Sequence, residues 1–306
     1  MTTLQDEHRA YRDELLQAGL LISMGVDGLY GRSGTFEGIV EGINHAFSKV
    51  GDPDRPDVMR FPPGIGKWQL EQSGYLKSSP QLVGTIHSFT GNDRDHRAML
   101  ETLEQGGDWT AGQKMTQVAL APAACYGVYP AVAARGPMGG NGGLVDCYTY
   151  CFRHEPSIDP ARMQMFRQRE HVRLGTEEQA TTFRKLWMER GQAVIKSLGL
   201  PFEVDVANDP FFGRTGKLLA TSQREEALKF ELLVPITSTE QPTACVSFNY
   251  HRDLFGRGWG IKTSTGDVAH TACVGFGVER ITLALLKHHG LSVPHWPQQV
   301  RDVLGL

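Results

Sequence analysis

Phe152-Arg153-His154-Glu155, followed after a short loop by Arg162-Met163-Gln164-Met165-Phe166, and far downstream Gly275-Phe276-Gly277-Val278-Glu279-Arg280, are the stretches that decide the fold. Val145 to Arg153 alternates as a strand and carries Arg153 and Glu155 to its far end. The downstream stretch opens a helix predicted from about Val278 to His288 and closed by Gly290. A guanidinium binds phosphate oxygens through a planar fork and stays charged at any working pH. A helix start adds free amides and a positive dipole end. Arg153 and Arg280 are therefore candidate clamps on a polyphosphate. Taken singly, Arg153 fits a surface residue paired with Glu155, Glu279-Arg280 a solvated first turn, and Phe166 a core side chain. Read from the residues alone, the clamp and these duller roles both stay open.

Working outward, Leu4 to Ala18 has helical periodicity and stops at Gly19, and Phe36, Ile39, Val40, Ile43 and Phe47 mark a second amphipathic helix. Val58 to Pro63 reads as a short strand ended by proline. Asn92 or Asp93 caps a helix ending at Gly106-Gly107, and Thr176 with Gln179 forms a capping box for a long helix ended by Gly199 and Pro201. Ser222 with Glu225 is the predicted cap of a short helix, and Phe230–Ile236 and Thr243–Tyr250 read as strands. Arg135 to Gly143 is a glycine-rich loop, but no Gly-Lys-Ser/Thr follows it, so it is no P-loop. Strands follow one another without regular intervening helices. That predicts an α+β fold with an antiparallel sheet.

The 306 residues, 40% of them hydrophobic, suffice for a sizeable core, and no linker divides them, which predicts one domain over 1–306. The net charge of -3 offers no basic surface for nucleic acid. The five cysteines form no CxxC, and no signal or membrane-spanning stretch is visible, which fits a reducing cytoplasm. Cys147 and Cys151 on their alternating strand read as small core residues.

The joint pattern resembles motifs 2 and 3 of class II aminoacyl-tRNA synthetases, above all the seryl branch. The resemblance runs from about Val58 to the C-terminus. It includes Phe61-Pro62 at motif 1, the acidic strand Lys229-Phe230-Glu231-Leu232-Leu233-Val234-Pro235, Ser247-Phe248-Asn249-Tyr250 with Asp253 and Arg257, and His270-Thr271-Ala272-Cys273 leading into motif 3. It implies an antiparallel sheet flanked by helices, dimeric through motif 1. It also implies roles: Arg153 on the α-phosphate, Glu155 with Arg162 around the adenine, Phe166 on its face, Arg280 toward the γ-phosphate, and Glu231 holding Mg²⁺ on the phosphates of ATP.

One atypical seryl branch carries a catalytic zinc on Cys, Glu and Cys, and the matching positions are Cys125, Glu170 and Cys273, one zinc per subunit. Three protein ligands leave an open position, which in that branch takes the substrate amino group. His270 is the rival ligand, and Asn249 and His270 are the implied substrate-side residues. Only about 57 residues precede the first motif-like strand, so N-terminal helices stand where a tRNA-binding domain would be. The chain resembles amino acid:[carrier protein] ligases, truncated relatives of this zinc branch, across nearly its whole length, including Gly25-Val26-Asp27-Gly28-Leu29-Tyr30-Gly31. These activate glycine or alanine with ATP and pass it to the phosphopantetheine thiol of a carrier protein. Carrier proteins are acidic, and Arg214, Lys217 and Arg224 offer positive charge to receive one. No nucleic acid and no membrane partner is expected. The alternatives are tRNA charging and a non-catalytic ATP- or amino-acid-binding relative.

Overall fold

The structure is a computed structural model describing residues 3–306, apart from the side chains of Arg214 and Thr215. Helix α1 (Leu4–Gln17) starts in a capping box between Thr3 and Asp6. Strands β1 (Leu21–Val26) and β2 (Leu29–Arg32) form an antiparallel hairpin, and α2 (Gly34–Gly51) follows. The N-terminal segment expected to hold helices alone thus contains a hairpin. Strands of six and four residues are too short for alternation to stand out from their surroundings.

Next comes β3 (Asp57–Arg60). A small three-stranded sheet, in the order β4–β6–β5, is built from β4 (Gly64–Gly66), β5 (Thr85–Phe89) and β6 (Gln113–Leu120). Helices α3 (Lys67–Gln72), α4 (Tyr75–Ser78) and α5 (Asp93–Glu104) lie between these strands, α5 capped by Asn92. Helix α6 (Val128–Ala133) precedes the glycine-rich loop.

The remaining chain builds the main sheet. In sequence it runs β7 (Gly143–Phe152), β8 (Met165–Gly175), α7 (Glu177–Ser197), β9 (Glu203–Val206), α8 (Gly213–Glu225) and β10 (Lys229–Val234). It continues with β11 (Thr243–Arg252), α9 (Leu254–Trp259), β12 (His270–Gly277), α10 (Val278–His289) and α11 (Gln298–Leu304). The seven strands lie in the order β3–β7–β8–β12–β11–β10–β9. All neighbours are antiparallel except the edge pair β3–β7, which is parallel.

The Thr176–Gln179 capping box starts α7 as its sequence predicts. The predicted cap at Ser222 is corrected. Ser222 lies in the last turn of α8, where its hydroxyl donates to Glu226 at 2.7 Å, and Phe212 occupies the N-cap without a side-chain bond. A Ser followed three residues later by Glu also fits a helix end, where the hydroxyl turns to a nearby carboxylate instead of a free amide.

Strand alternation sorts the side chains into two faces. One face, with Val246, Phe248, Val274 and Phe276, is buried beneath α2, α7 and α10 through Phe47, Trp187 and Ile281. The rings of Phe47 and Phe276 stack with centroids 3.7 Å apart. Burying each such side chain contributes about 1.5–3 kcal/mol. The other face is covered at one end by α6 and α9, where Tyr129 stacks on Phe255. The rest of that face is open, so a polar site can sit on it without breaking the core.

Candidate active site

The register brings the open face into one line. Glu170 on β8 pairs with Gly275 on β12, Gly275 with Ser247 on β11, and Ser247 with Glu231 on β10. One pair along lie Val172, Cys273, Asn249 and Lys229. These residues therefore share a face, and Gly275, Ser247, Glu231 and Lys229 among them, with the loop after β7 and the start of α10, surround a cleft of about 680 Å³, open mouth included.

Arg153 follows β7 directly and Arg280 lies in the first turn of α10; both line the cleft. Arg153 Nε donates to Pro122 O at 3.3 Å, and its guanidinium lies 5.4 Å from the Phe166 ring centre. Arg280 donates to Ala161 O and Ala244 O, each at 2.9 Å. Among the described residues neither forms an ion pair. Burial lowers the Arg280 pKa, and the nearby Arg153 charge adds to that effect. Two guanidiniums anchored by backbone carbonyls and repelling each other across a cleft make a receptor for a multiply charged anion.

The other expected nucleotide residues stand around them. Glu155 and Phe166 line the cleft. Arg162 is exposed and donates to Glu155 at 3.1 Å, so it holds that carboxylate at the rim and is not itself part of the wall. Glu231 lines the cleft beside Lys229, whose ammonium lies 3.1 Å from it and 2.5 Å from Asp209. Burial opposes the Lys229 charge, but the two carboxylates outweigh it and its pKa is raised. The period of a strand already places Lys229 and Glu231 on one side; the Asp209 partner, from the loop after β9, has no such signal.

Cys125, Glu170 and Cys273 come together where α6 and α9 cover the sheet, next to the cleft-lining Gly275 but not in the cleft wall, from the turn before α6, from β8 and from β12. Glu170 Oε1 accepts the Ala124 amide at 3.0 Å. The hydrogen bond to Cys273, then burial, pushes the Cys125 thiol well up, and burial pushes the Glu170 carboxyl well up. Cys273 is lowered as the acceptor of that bond, against burial, and also receives Asn249 Nδ2 at 3.4 Å. Three buried acids with no cation among them share protons, because they cannot all ionise. Among the described residues no three His, Cys, Asp or Glu side chains are placed so that they could hold a metal ion as they stand. Two thiols and a carboxyl, deprotonated, nevertheless fit zinc as a donor set.

The expectation for His270 is corrected. It lies three positions from Cys273 on β12, and an odd step along a strand reverses the face. Its ring stacks on Tyr250 and its Nδ1 lies 2.6 Å from the Tyr250 hydroxyl. The histidine beside Cys273 is His251, with Nε2 at 3.7 Å from the sulfur. His251 lies two residues beyond Asn249 on β11, so the strand period puts it on the same face, and its Nδ1 meets Thr271 Oγ1 at 3.1 Å. That it stands beside Cys273 depends on the pairing of β11 with β12, which sequence spacing does not reveal.

Of the expected docking residues, Arg214 lies outside the described residues. Lys217 is exposed on α8, and Arg224 is exposed and paired with Asp205 at 3.3 Å.

A class II aminoacyl-tRNA synthetase catalytic fold is what this sheet, its flanking helices and its two cleft arginines define. A crystal structure of A. aeolicus tRNASec in complex with M. kandleri SerRS matches with a TM-score of 0.81 at 21% identity, covering 96% of this chain and 60% of that one. Seryl-tRNA synthetase from Pyrococcus horikoshii, complexed with ATP, matches with a TM-score of 0.70 at 13% identity, covering 97% of this chain and 62% of that one. No protein-family model matches. Two proteins of Bradyrhizobium diazoefficiens, named amino acid–[acyl-carrier-protein] ligase 1 and 2, are each 47% identical to this chain. The first alignment covers 94% of this chain and 88% of the relative; the second covers 96% and 87%. A type-2 serine–tRNA ligase of Methanopyrus kandleri is 30% identical over 169 residues, 52% of this chain and 32% of that protein. The chain belongs to the amino acid–[acyl-carrier-protein] ligase family.

Proposed function

We propose that this chain activates a small amino acid, glycine or alanine, with ATP and passes it to the phosphopantetheine thiol of a carrier protein. The observation that carries this is the pair Arg153 and Arg280, two guanidiniums without carboxylate partners among the described residues, facing one cleft beside an aromatic ring and a carboxylate. In the first half-reaction the amino acid carboxylate attacks the α-phosphorus of ATP and pyrophosphate leaves. Arg153 holds the α-phosphate and takes up charge developing there. Phe166 stacks on the adenine, Glu155 meets its edge, and Arg280 packs opposite and reaches the γ-phosphate. Glu231 would help hold Mg²⁺ with the phosphates. Cys125, Glu170 and Cys273 would hold a zinc ion, which when bound would select a substrate with a free α-amine. Asn249, bonded to both Ser247 and Cys273, orients that end of the site. In the second half-reaction the carrier thiol attacks the carbonyl and AMP leaves, with no protein nucleophile.

The carrier would dock at α8, where Lys217 and Arg224 stand beside exposed Leu218 and Leu219. A homodimer is supported by Val58 on the edge strand β3 and by the small sheet, where Ile86, Met115 and Val118 are all exposed. No helix among the described residues is long and apolar enough to cross a membrane. The five cysteines are free thiols, which supports placing the enzyme in a reducing cytoplasm.

ATP–pyrophosphate exchange against a panel of small amino acids, with and without a zinc chelator, tests this assignment. Exchange with glycine or alanine, lost on chelation and restored by zinc, supports it. Absence of exchange in folded, zinc-loaded protein leaves a binding or regulatory relative.

A further inference from the structure

The β1–β2 hairpin lies outside the main sheet, yet its tip touches the nucleotide segment. Gln164 N–H donates to Gly28 O at 2.7 Å, and its side-chain amide donates to Asp27 O at 2.8 Å. On the other side, Gln164 O accepts the Arg153 amide at 3.0 Å. One residue thus stands between the hairpin tip and Arg153. One residue on, Met165 O accepts Arg32 Nη2 from β2 at 3.0 Å. The same Arg32 nitrogen lies 3.4 Å from Glu279, the neighbour of Arg280. One of the two carbonyls anchoring Arg280 belongs to Ala161, in the same segment. The hairpin therefore bonds to the strand bearing Phe166 and to the helix start bearing Arg280.

We propose that the hairpin, through Asp27, Gly28 and Arg32, is a positioning element for the nucleotide site that sets the placement of Arg153 and Phe166 relative to Arg280. This rests on the assignment of that cleft to ATP. The segment from 153 to 164 joins β7 to β8 as a loop, and a loop bonded on one side only would sample many placements. Catalytic clamps lose effect when displaced by even about 1 Å. An isolated two-stranded hairpin has little stability of its own. Here its tip is bonded to the loop, and the two order each other.

Two glycines of the hairpin separate this role from simple support. Gly25 and Gly28 have nearly the same left-handed φ, +77° and +78°, so alanine strains the backbone alike at both. A Cβ at Gly25 meets nothing within 4 Å, whereas one at Gly28 lies 3.2 Å from Arg162 O and from Gln164 Cγ. Titration with a non-hydrolysable ATP analogue, together with the KM for ATP in pyrophosphate exchange, would compare Gly25→Ala, Gly28→Ala and the unaltered protein. We expect Gly28→Ala to weaken analogue binding and raise the ATP KM about tenfold, with Gly25→Ala and the amino acid KM within about twofold of the unaltered protein. Equal affinities of the two variants for the analogue would overturn the proposal. Should Gly28→Ala fail to fold, Gln164→Leu, which removes the side-chain bond to Asp27, replaces it: weakened analogue binding supports the proposal and unchanged binding overturns it. No analogue binding by the unaltered protein would overturn the ATP assignment itself, and the positioning role with it.

Discussion

Arg167 on β8 and Glu279 at the start of α10 form a buried pair, with Nε donating to Oε1 at 2.6 Å and the Arg167 amide donating to Oε2 at 2.8 Å. The Arg167 guanidinium also bonds Glu37 of α2 through both terminal nitrogens, at 2.5 and 2.8 Å. Burial opposes the Arg167 charge and the two carboxylates outweigh it, raising its pKa. One side chain thereby joins the strand of Phe166, the helix of Arg280 and the N-terminal helix on the sheet's far side. Replacing Arg167 with methionine would leave the buried Glu279 with the backbone amide of residue 167 and, as its only cation, the more distant Arg32. Urea unfolding should show a loss of about 3–5 kcal/mol, the usual result of stranding one partner of a buried pair. A loss below about 1 kcal/mol would show that the carboxylates find other partners.

Removing either cleft arginine should slow adenylate formation far more than it destabilises the fold. Arg153→Ala and Arg280→Ala are each expected to cut exchange about 10²–10³-fold, the scale for losing one donor to developing charge. Their melting temperatures should stay close to that of the unaltered protein. Arg153→Lys keeps the charge without the fork and should recover only part of the loss. Phe166→Ala should act on ATP affinity, at about 1–3 kcal/mol for a base on an aromatic ring.

The Cys125, Glu170 and Cys273 cluster predicts stoichiometric zinc. Metal analysis of purified protein should find one zinc per chain, and Cys125→Ser should lower that content together with exchange activity. A hydroxy acid of the same size should not support exchange, because it offers no amine. Full zinc content in the triple alanine variant would place the metal elsewhere.

Asp146 predicts a particular acid response. Burial would raise its carboxyl pKa, but Arg169, donating through Nε at 3.1 Å and Nη2 at 2.6 Å, lowers it below the ordinary carboxylate range. The unfolded chain therefore binds the proton more readily than the folded one. The stabilisation is complete above a pH of about 4 and is lost as pH falls through the lowered folded value. Asp146→Asn should be less stable than the unaltered protein near neutral pH, and urea unfolding at successively lower pH should show the two converge. A constant gap would mean that the Asp146 charge is not its source.

Charge reversal on α8 should separate the two half-reactions. Lys217→Glu with Arg224→Glu should weaken carrier affinity and slow transfer, while pyrophosphate exchange continues. Unchanged transfer would move the docking surface off α8.

Much of this site was legible in the chain itself. Caps and periodicity placed α5, α7 and α10 within a residue or two, because those signals are local and chemical. The resemblance carried Arg153, Phe166, Glu231 and Arg280 to one site, and the structure brings them around one cleft. The partners between elements were not legible. His251 stands by Cys273 and His270 does not, because the pairing of β11 with β12 and the face of β12 decide it. The ties from Gly28 to Gln164 and from Arg167 to Glu37 span more than 100 residues of chain, and no local propensity encodes them. Sequence fixes which residues can carry charge and where a helix or strand begins. Strand register and packing, which are non-local, decide which of those residues meet.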